Sequence, residues 1–143
     1  MPSQREAILS ALFETLRTNL TASVRRNEAL PEKVPSAGLV NLRDGEPGEP
    51  EILLSPLSYL WRHRAPLEVV ISGGTQAERD AALDTLLITI GATLEPDRTL
   101  GGLVDYLEIG PPSFEIVPIE GAAPVKGAVV PVILHYETPS PLS

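Results

Sequence analysis

Apolar positions along the chain recur with two different periods, and the change from one to the other marks the elements. Ile8, Leu9, Leu12, Phe13, Leu16 and Leu20 fall on one helical stripe, and Ser3 followed three residues later by Glu6 forms a capping box before it. The pattern predicts a helix over Gln4–Asn19. From Tyr59 the period becomes two: Tyr59, Trp61, His63, Ala65, Leu67, Val69 and Ile71 alternate with polar or small residues, as in a long strand with one face on a core. Pro66 lies on the other face and predicts an edge, a bulge or a bend, because it has no amide to donate. A Gly73-Gly74 break follows. Thr75 with Glu78 repeats the capping box, and Leu83, Leu86, Leu87, Ile90 and Leu94 recur at helical spacing. This second helix should end near Glu95, since the residue before Pro96 is biased out of the α region. Gly91 inside it costs up to about 1 kcal/mol against Ala and predicts close approach to a strand.

The remaining signals are shorter. Thr21–Asn27 alternates weakly and reads as a short strand or extended edge. Leu39–Arg43 and Glu51–Leu54 alternate on either side of Asp44–Pro50, which reads as a β-hairpin with a long, mobile connection. Ser55-Pro56 then bends the chain into the long strand. Leu103–Ile109 and Phe114–Ile119 are strand candidates around Gly110-Pro111-Pro112. Val125–Tyr136 is the other long strand, apolar on both faces in its middle, with Pro131 demanding an unpaired amide position. Glu137–Ser143 reads as a frayed tail. This order predicts an α+β fold: a mostly antiparallel twisted sheet with both helices on one face, in a single domain spanning residues 1–143. Its expected core is Leu9, Leu12, Phe13 and Leu16 with Leu83, Leu86, Leu87 and Ile90 on Trp61, Leu67, Val69, Val129 and Ile133.

Composition narrows the function classes. The 143-residue chain is long enough to bury a core unaided, and the absence of cysteine removes disulfides, thiolate zinc sites and a cysteine nucleophile together. The opening residues lack the apolar run of a secretory signal, and no stretch is apolar enough for a membrane span, so a cytosolic product is expected. A net charge of -8 argues against sequence-independent DNA binding and for solubility.

Catalytic patterns are weak. Gly73-Gly74-Thr75 precedes a helix N-terminus, where amides can hold a phosphate, but Glu78 and Asp80 would repel an anion and the fuller glycine motifs are absent. A tight capped turn is the better reading. His63 and His135 could approach if their strands paired, yet two nitrogens make a poor metal site. Ser58, Ser72 and Asp105 supply triad residue types without a nucleophile elbow, and Asp105 and Glu108 point to opposite faces of a strand. No catalytic, cofactor or metal residue is expected. Arg62 and Arg64 share the face opposite Trp61 and His63, with Arg25-Arg26 as a separate pair. The plain reading is a solvated strand face; the alternative is a partner surface meeting the acidic Glu46–Glu51 segment of a neighbour. Arg62, Arg64, Arg43, Asp44, Glu46 and Glu49 are the candidate interaction residues.

The runs Arg26-Asn27-Glu28-Ala29-Leu30-Pro31, Gly38-Leu39-Val40-Asn41-Leu42-Arg43-Asp44-Gly45 and Asp97-Arg98-Thr99-Leu100-Gly101-Gly102-Leu103-Val104-Asp105 resemble small proteins of siphophage-like prophage tail modules. With the order of elements, they are similar to the tail-terminator, or tail-completion, family of minor tail proteins over about Arg5–Tyr136. The resemblance implies a structural virion subunit that forms a ring, usually six-fold, capping the tail tube and facing head-completion proteins. It implies tail-tube and head-completion partners, assembly in the host cytoplasm, and no membrane or sequence-specific nucleic acid. A closed ring needs two different patches on one subunit, for which the acidic connection and the arginine-bearing face are the expected pair. Two other classes compete: a small cytosolic enzyme, such as an acyl-group transferase using the Gly73-Gly74 turn, and a non-phage interaction adaptor.

Overall fold

A computed structural model describes residues 1–29, 33–115 and 124–143. It is an α+β structure with two helices and an open, mixed seven-stranded sheet. In chain order the elements are α1 (Gln4–Asn19), β1 (Ser23–Arg26), β2 (Leu39–Leu42), β3 (Glu51–Leu54), β4 (Leu57–Ser72), α2 (Gln76–Leu94), β5 (Tyr106–Ile109), β6 (Ser113–Glu115) and β7 (Val125–Thr138). No helix among the described residues is long and apolar enough to cross a membrane.

The sheet is organised around one ribbon. β4 and β7 pair antiparallel without interruption from Tyr59↔Thr138 to Ser72↔Val125. Each side of the ribbon carries a strand broken in two. On the β4 side, β2 pairs with Leu67–Val70 and β3 with Leu57–Leu60, both antiparallel; on the β7 side, β5 pairs with Val132–His135 and β6 with Gly127–Val129, also antiparallel. β1 adds to β2 in parallel, which makes the sheet mixed.

This arrangement corrects the expected hairpin. β2 and β3 do not pair with each other; they are successive pieces of one line running down β4, and the hairpin is β3–β4, turned at Ser55-Pro56 through a cis peptide. Alternation along β2 and β3 was compatible with either pairing, since both place apolar residues on one face. β5 begins at Tyr106 rather than Leu103, and β7 runs on through Thr138, beyond the expected start of the tail at Glu137. Thr138 is buried and accepts the Trp61 indole N–H at 2.8 Å. The candidate strand Phe114–Ile119 appears as β6 over Ser113–Glu115; its later residues lie outside the described ones.

Pro66 creates neither an edge nor a bulge. It sits opposite Pro131 at the middle of the ribbon. The Pro66 carbonyl accepts from the Arg43 amide (3.0 Å) and that of Pro131 from the Gly110 amide (2.8 Å), so both prolines turn their hydrogen-bonding sides away from each other. The pair is therefore of the non-hydrogen-bonded kind, and the β4–β7 ladder loses no bond. Each missing donor falls where the flanking strand is broken: just past the end of β2, and between β5 and β6. A Cβ on Gly110 would stand 2.5 Å from the Pro131 ring, so only glycine lets that break pass so close.

Both helices pack on the face of β4 and β7 that carries Trp61, Ala65, Leu67, Val69 and Ile71 with Ala128, Val130, Val132, Leu134 and Tyr136. Ile8, Leu9, Leu12 and Leu16 of α1 and Leu83, Leu86, Ile90 and Leu94 of α2 complete this core. The expectation that Val129 and Ile133 join it fails on strand parity: pairing with Glu68 and Arg64 puts them on the opposite face. Phe13 and Leu87 pack at its margin, partly buried. Gly91 is not explained by a close strand, because a Cβ there would meet nothing nearer than Glu95 at 3.9 Å. The caps form as half-boxes: the Ser3 and Thr75 hydroxyls accept from the amides of Glu6 and Glu78, each at 3.2 Å.

Candidate functional site

The candidate residues fall into an anchored group and a free group. Arg26, at the end of β1, is the hub of the first. Its terminal nitrogens donate to both oxygens of Glu6 on α1 at 2.8 Å each, and its Nε donates to Asp44 at 2.8 Å. A guanidinium held between two carboxylates is raised in pKa, chiefly by the Glu6 bond; Glu6 is correspondingly lowered by Arg26. Asp44 also accepts on its backbone: its carbonyl faces Nε2 of the buried His63 at 2.5 Å. A carbonyl can only accept, so Nε2 carries a proton; with the ring neutral, Nδ1 then accepts from the Tyr136 hydroxyl at 2.8 Å. That arrangement needs a neutral imidazole. Burial lowers the His63 pKa in keeping with it, and burial pushes the Tyr136 phenol up to about 12.

Arg43 pairs with Glu68 at 2.7 Å, and Glu68 also accepts from Asn41, so this arginine is committed within the chain. Glu46 exchanges both backbone hydrogen bonds with Arg64 (3.0 and 2.9 Å), and a Cβ on Gly45 would lie 1.9 Å from the Arg64 carbonyl oxygen. The segment expected to be a mobile loop is thus fastened to β4 over Asp44–Glu46. Arg62 and Arg64 are exposed, and neither makes an ion pair among the described residues.

Arg62 lines a shallow cleft of about 360 Å³ with Glu49, Glu51, Asp105, Tyr106 and His135. The His135 ring stacks on Tyr106, with centroids 4.2 Å apart, and its Nε2 meets Glu108 at 2.6 Å. The His135 bond holds the Glu108 carboxyl below its ordinary range. The strands of the two histidines do pair, with Arg62 opposite His135, but the side chains project from opposite faces of the sheet. Ser58 bonds Glu137, Ser72 donates to the Val34 carbonyl, and Asp105 is exposed at the start of β5, so the triad residue types are scattered. Among the described residues no group of three or more metal-ligating side chains converges.

Two consequences differ from the sequence reading. The acidic connection and the arginine face lie side by side, sharing the cleft, and are not two separate patches. Meanwhile four exposed apolar side chains cluster on the β3–β4 hairpin, which the sequence pattern did not single out: Ile52, Leu53, Leu54 and Leu57 are 52%, 45%, 80% and 51% exposed. A second exposed apolar surface, Ile88 on α2 and Phe114 on β6, borders a groove of about 530 Å³ rimmed by Asp84 and Glu95. Exposed apolar clusters of this kind are candidate interaction surfaces. No protein-family model and no curated protein matches the chain.

Proposed function

We propose that this protein is a structural subunit of a phage or prophage tail, a terminator that caps the tail tube as a ring and joins it to head-completion proteins. The reading begins from the resemblance of the three sequence runs to tail-terminator proteins. Its chief structural support is the pair of exposed apolar surfaces at opposite ends of the β4–β7 ribbon, because a ring contact that closes needs two unlike patches on one subunit. The order helix, short strands, long strand, helix, strands agrees with the same reading.

The test is direct. Purified tail tubes from the same prophage, incubated with this protein, should acquire a ring of density at one end in electron micrographs and stop elongating. Tubes that stay bare and grow to indefinite length in its presence would refute the role.

A further inference from the structure

The segment fastened to β4 contains an Asp-Gly pair, and packing calls for each member of it. Gly45 has φ +67, and a Cβ there would stand 1.9 Å from the Arg64 carbonyl oxygen, so only glycine lets the chain pass so close to β4. Asp44 supplies the carboxylate that Arg26 holds and the carbonyl that His63 holds. The fold has thereby set side by side two residues suited to react with each other. Attack of the Gly45 nitrogen on the Asp44 carboxyl carbon closes a succinimide ring, and glycine has no side chain to obstruct that nitrogen. Gly45 is exposed, and its N–H has no backbone acceptor among the described residues.

Everything else about the pair is held. The Asp44 N–H donates to the Asn27 side-chain oxygen (2.9 Å), its carbonyl accepts from His63 Nε2 (2.5 Å) and its carboxylate accepts from Arg26 Nε (2.8 Å). One residue on, Glu46 exchanges both backbone bonds with Arg64. A carboxylate paired with a guanidinium is a poor electrophile, because the oxygen that leaves must carry protons with it. Closure also moves the Asp44 Cα–C torsion to a ring value outside the regions that L-residues favour, whereas bonds on both sides hold that torsion in place.

We propose that Asp44 is a self-modification site, converted to isoaspartate through a succinimide with Gly45, and that Arg26 is the latch that keeps it closed in the folded chain. The step needs no reagent but water. The Gly45 nitrogen bonds to Asp44 Cγ, and its proton leaves with the carboxyl oxygen and proton as water. Water returning at Cγ restores aspartate. Water returning at the former backbone carbonyl breaks that C–N bond and leaves the main chain running through Cβ and Cγ. The link is then longer by a carbon where Gly45 already has no room against Arg64, and the carbonyl bonded by His63 has become a carboxylate outside the main chain. The Glu46–Arg64 bonds cannot keep their register, so modification unfastens Asp44–Glu46 from β4.

Full-length parent, Arg26→Gln and Glu6→Gln chains are aged side by side in neutral buffer, with the parent also aged in urea, and isoaspartate at Asp44 is read by peptide mapping with electron-transfer fragmentation. The unfolded chain should accumulate it fastest. Folded Arg26→Gln should accumulate it about fivefold faster than the folded parent, the factor that corresponds to a tie of about 1 kcal/mol. Glu6→Gln removes the other partner of the same guanidinium and leaves the Asp44 bond in place, so it should age like the parent. No isoaspartate in urea would mean that the pair is not a site, and equal rates in folded and unfolded parent would mean that the fold does not hold it closed. Arg26→Gln ageing no faster than the parent would deny the latch, and equal acceleration in both variants would assign the effect to loss of overall stability. Each of these outcomes overturns the proposal. In the separated isoaspartate form the Glu46 and Arg64 amides should exchange with solvent faster than in the parent; unchanged protection would overturn the unfastening.

Discussion

β2 and β3 are two four-residue strands lying on the same side of β4, in one line, with similar sequences: Leu-Val-Asn-Leu and Glu-Ile-Leu-Leu. Every residue of β2 is buried and every residue of β3 is exposed. Propensity does not separate them. What does is the neighbourhood: β2 has β1 along its far edge and lies where the helices cover the sheet, whereas β3 lies past the end of that cover. Burial is thus conferred on a strand by the layers around it, and a strand left outside them stays exposed however apolar its sequence.

The comparison breaks most visibly on truncation. Leu42→Ala, in fully buried surroundings, should cost about 2–5 kcal/mol in urea unfolding. A loss comparable to that of an exposed site would mean that β2 is not sealed as described.

The next effect concerns the tie just after β2, where the Asp44 carbonyl meets His63. The folded pKa of His63 lies below its ordinary 6.5, so the unfolded chain takes up this proton first as the solution is acidified. Stability is therefore complete above about pH 6.5 and falls as pH drops from there toward the depressed folded value, by at most about 1.4 kcal/mol per pH unit from this group. Burial is the main cause of the lowering and the Arg5 charge adds to it, while the Asp44 carbonyl bond and the Asp44 carboxylate charge oppose it; the Tyr136 hydroxyl faces the other ring nitrogen. His63→Gln should flatten that stretch of the stability–pH curve; an unchanged slope would assign it to other groups.

Smaller still, Arg26→Gln should cost about 1 kcal/mol, since Glu6 and Asp44 remain partly solvated. In the variant an NMR titration should find the Glu6 carboxyl back toward its ordinary pKa, and a carboxyl that stays low would deny Arg26 its role as hub. Leu54→Ala, in exposed β3, should change the stability of the protein by less than about 0.5 kcal/mol. A larger loss would show that the β3–β4 hairpin packs against the rest of the chain more than its exposure indicates.

These contrasts also mark how far the sequence could be read. Both helices were legible because their signals are local: a cap, a stripe and a stop within twenty residues, as at Ser3–Asn19 and Thr75–Leu94. The long strands were legible from alternation. Pairing was not, because the short runs at β2 and β3 match each other as well as they match β4, and only the finished sheet decides. The same holds for Val129 and Ile133, where an all-apolar run hides which face is inward. Arg26 gave no warning as a hub, its partners being twenty residues back and eighteen ahead. As for the β3–β4 hairpin, an apolar run such as Ile52-Leu53-Leu54 reads the same whether or not anything covers it.

The paired prolines at the centre of the ribbon carry a mechanical consequence. On either side of Pro66 and Pro131 the flanking strands are interrupted, each holding on at that level by a single backbone bond, from Arg43 and from Gly110. Both breaks fall at one level of the sheet, and the residues on the helix-covered face there, Ala65, Leu67, Val130 and Val132, are all buried, so the gap in the backbone ladder is sealed by side-chain packing rather than by hydrogen bonds.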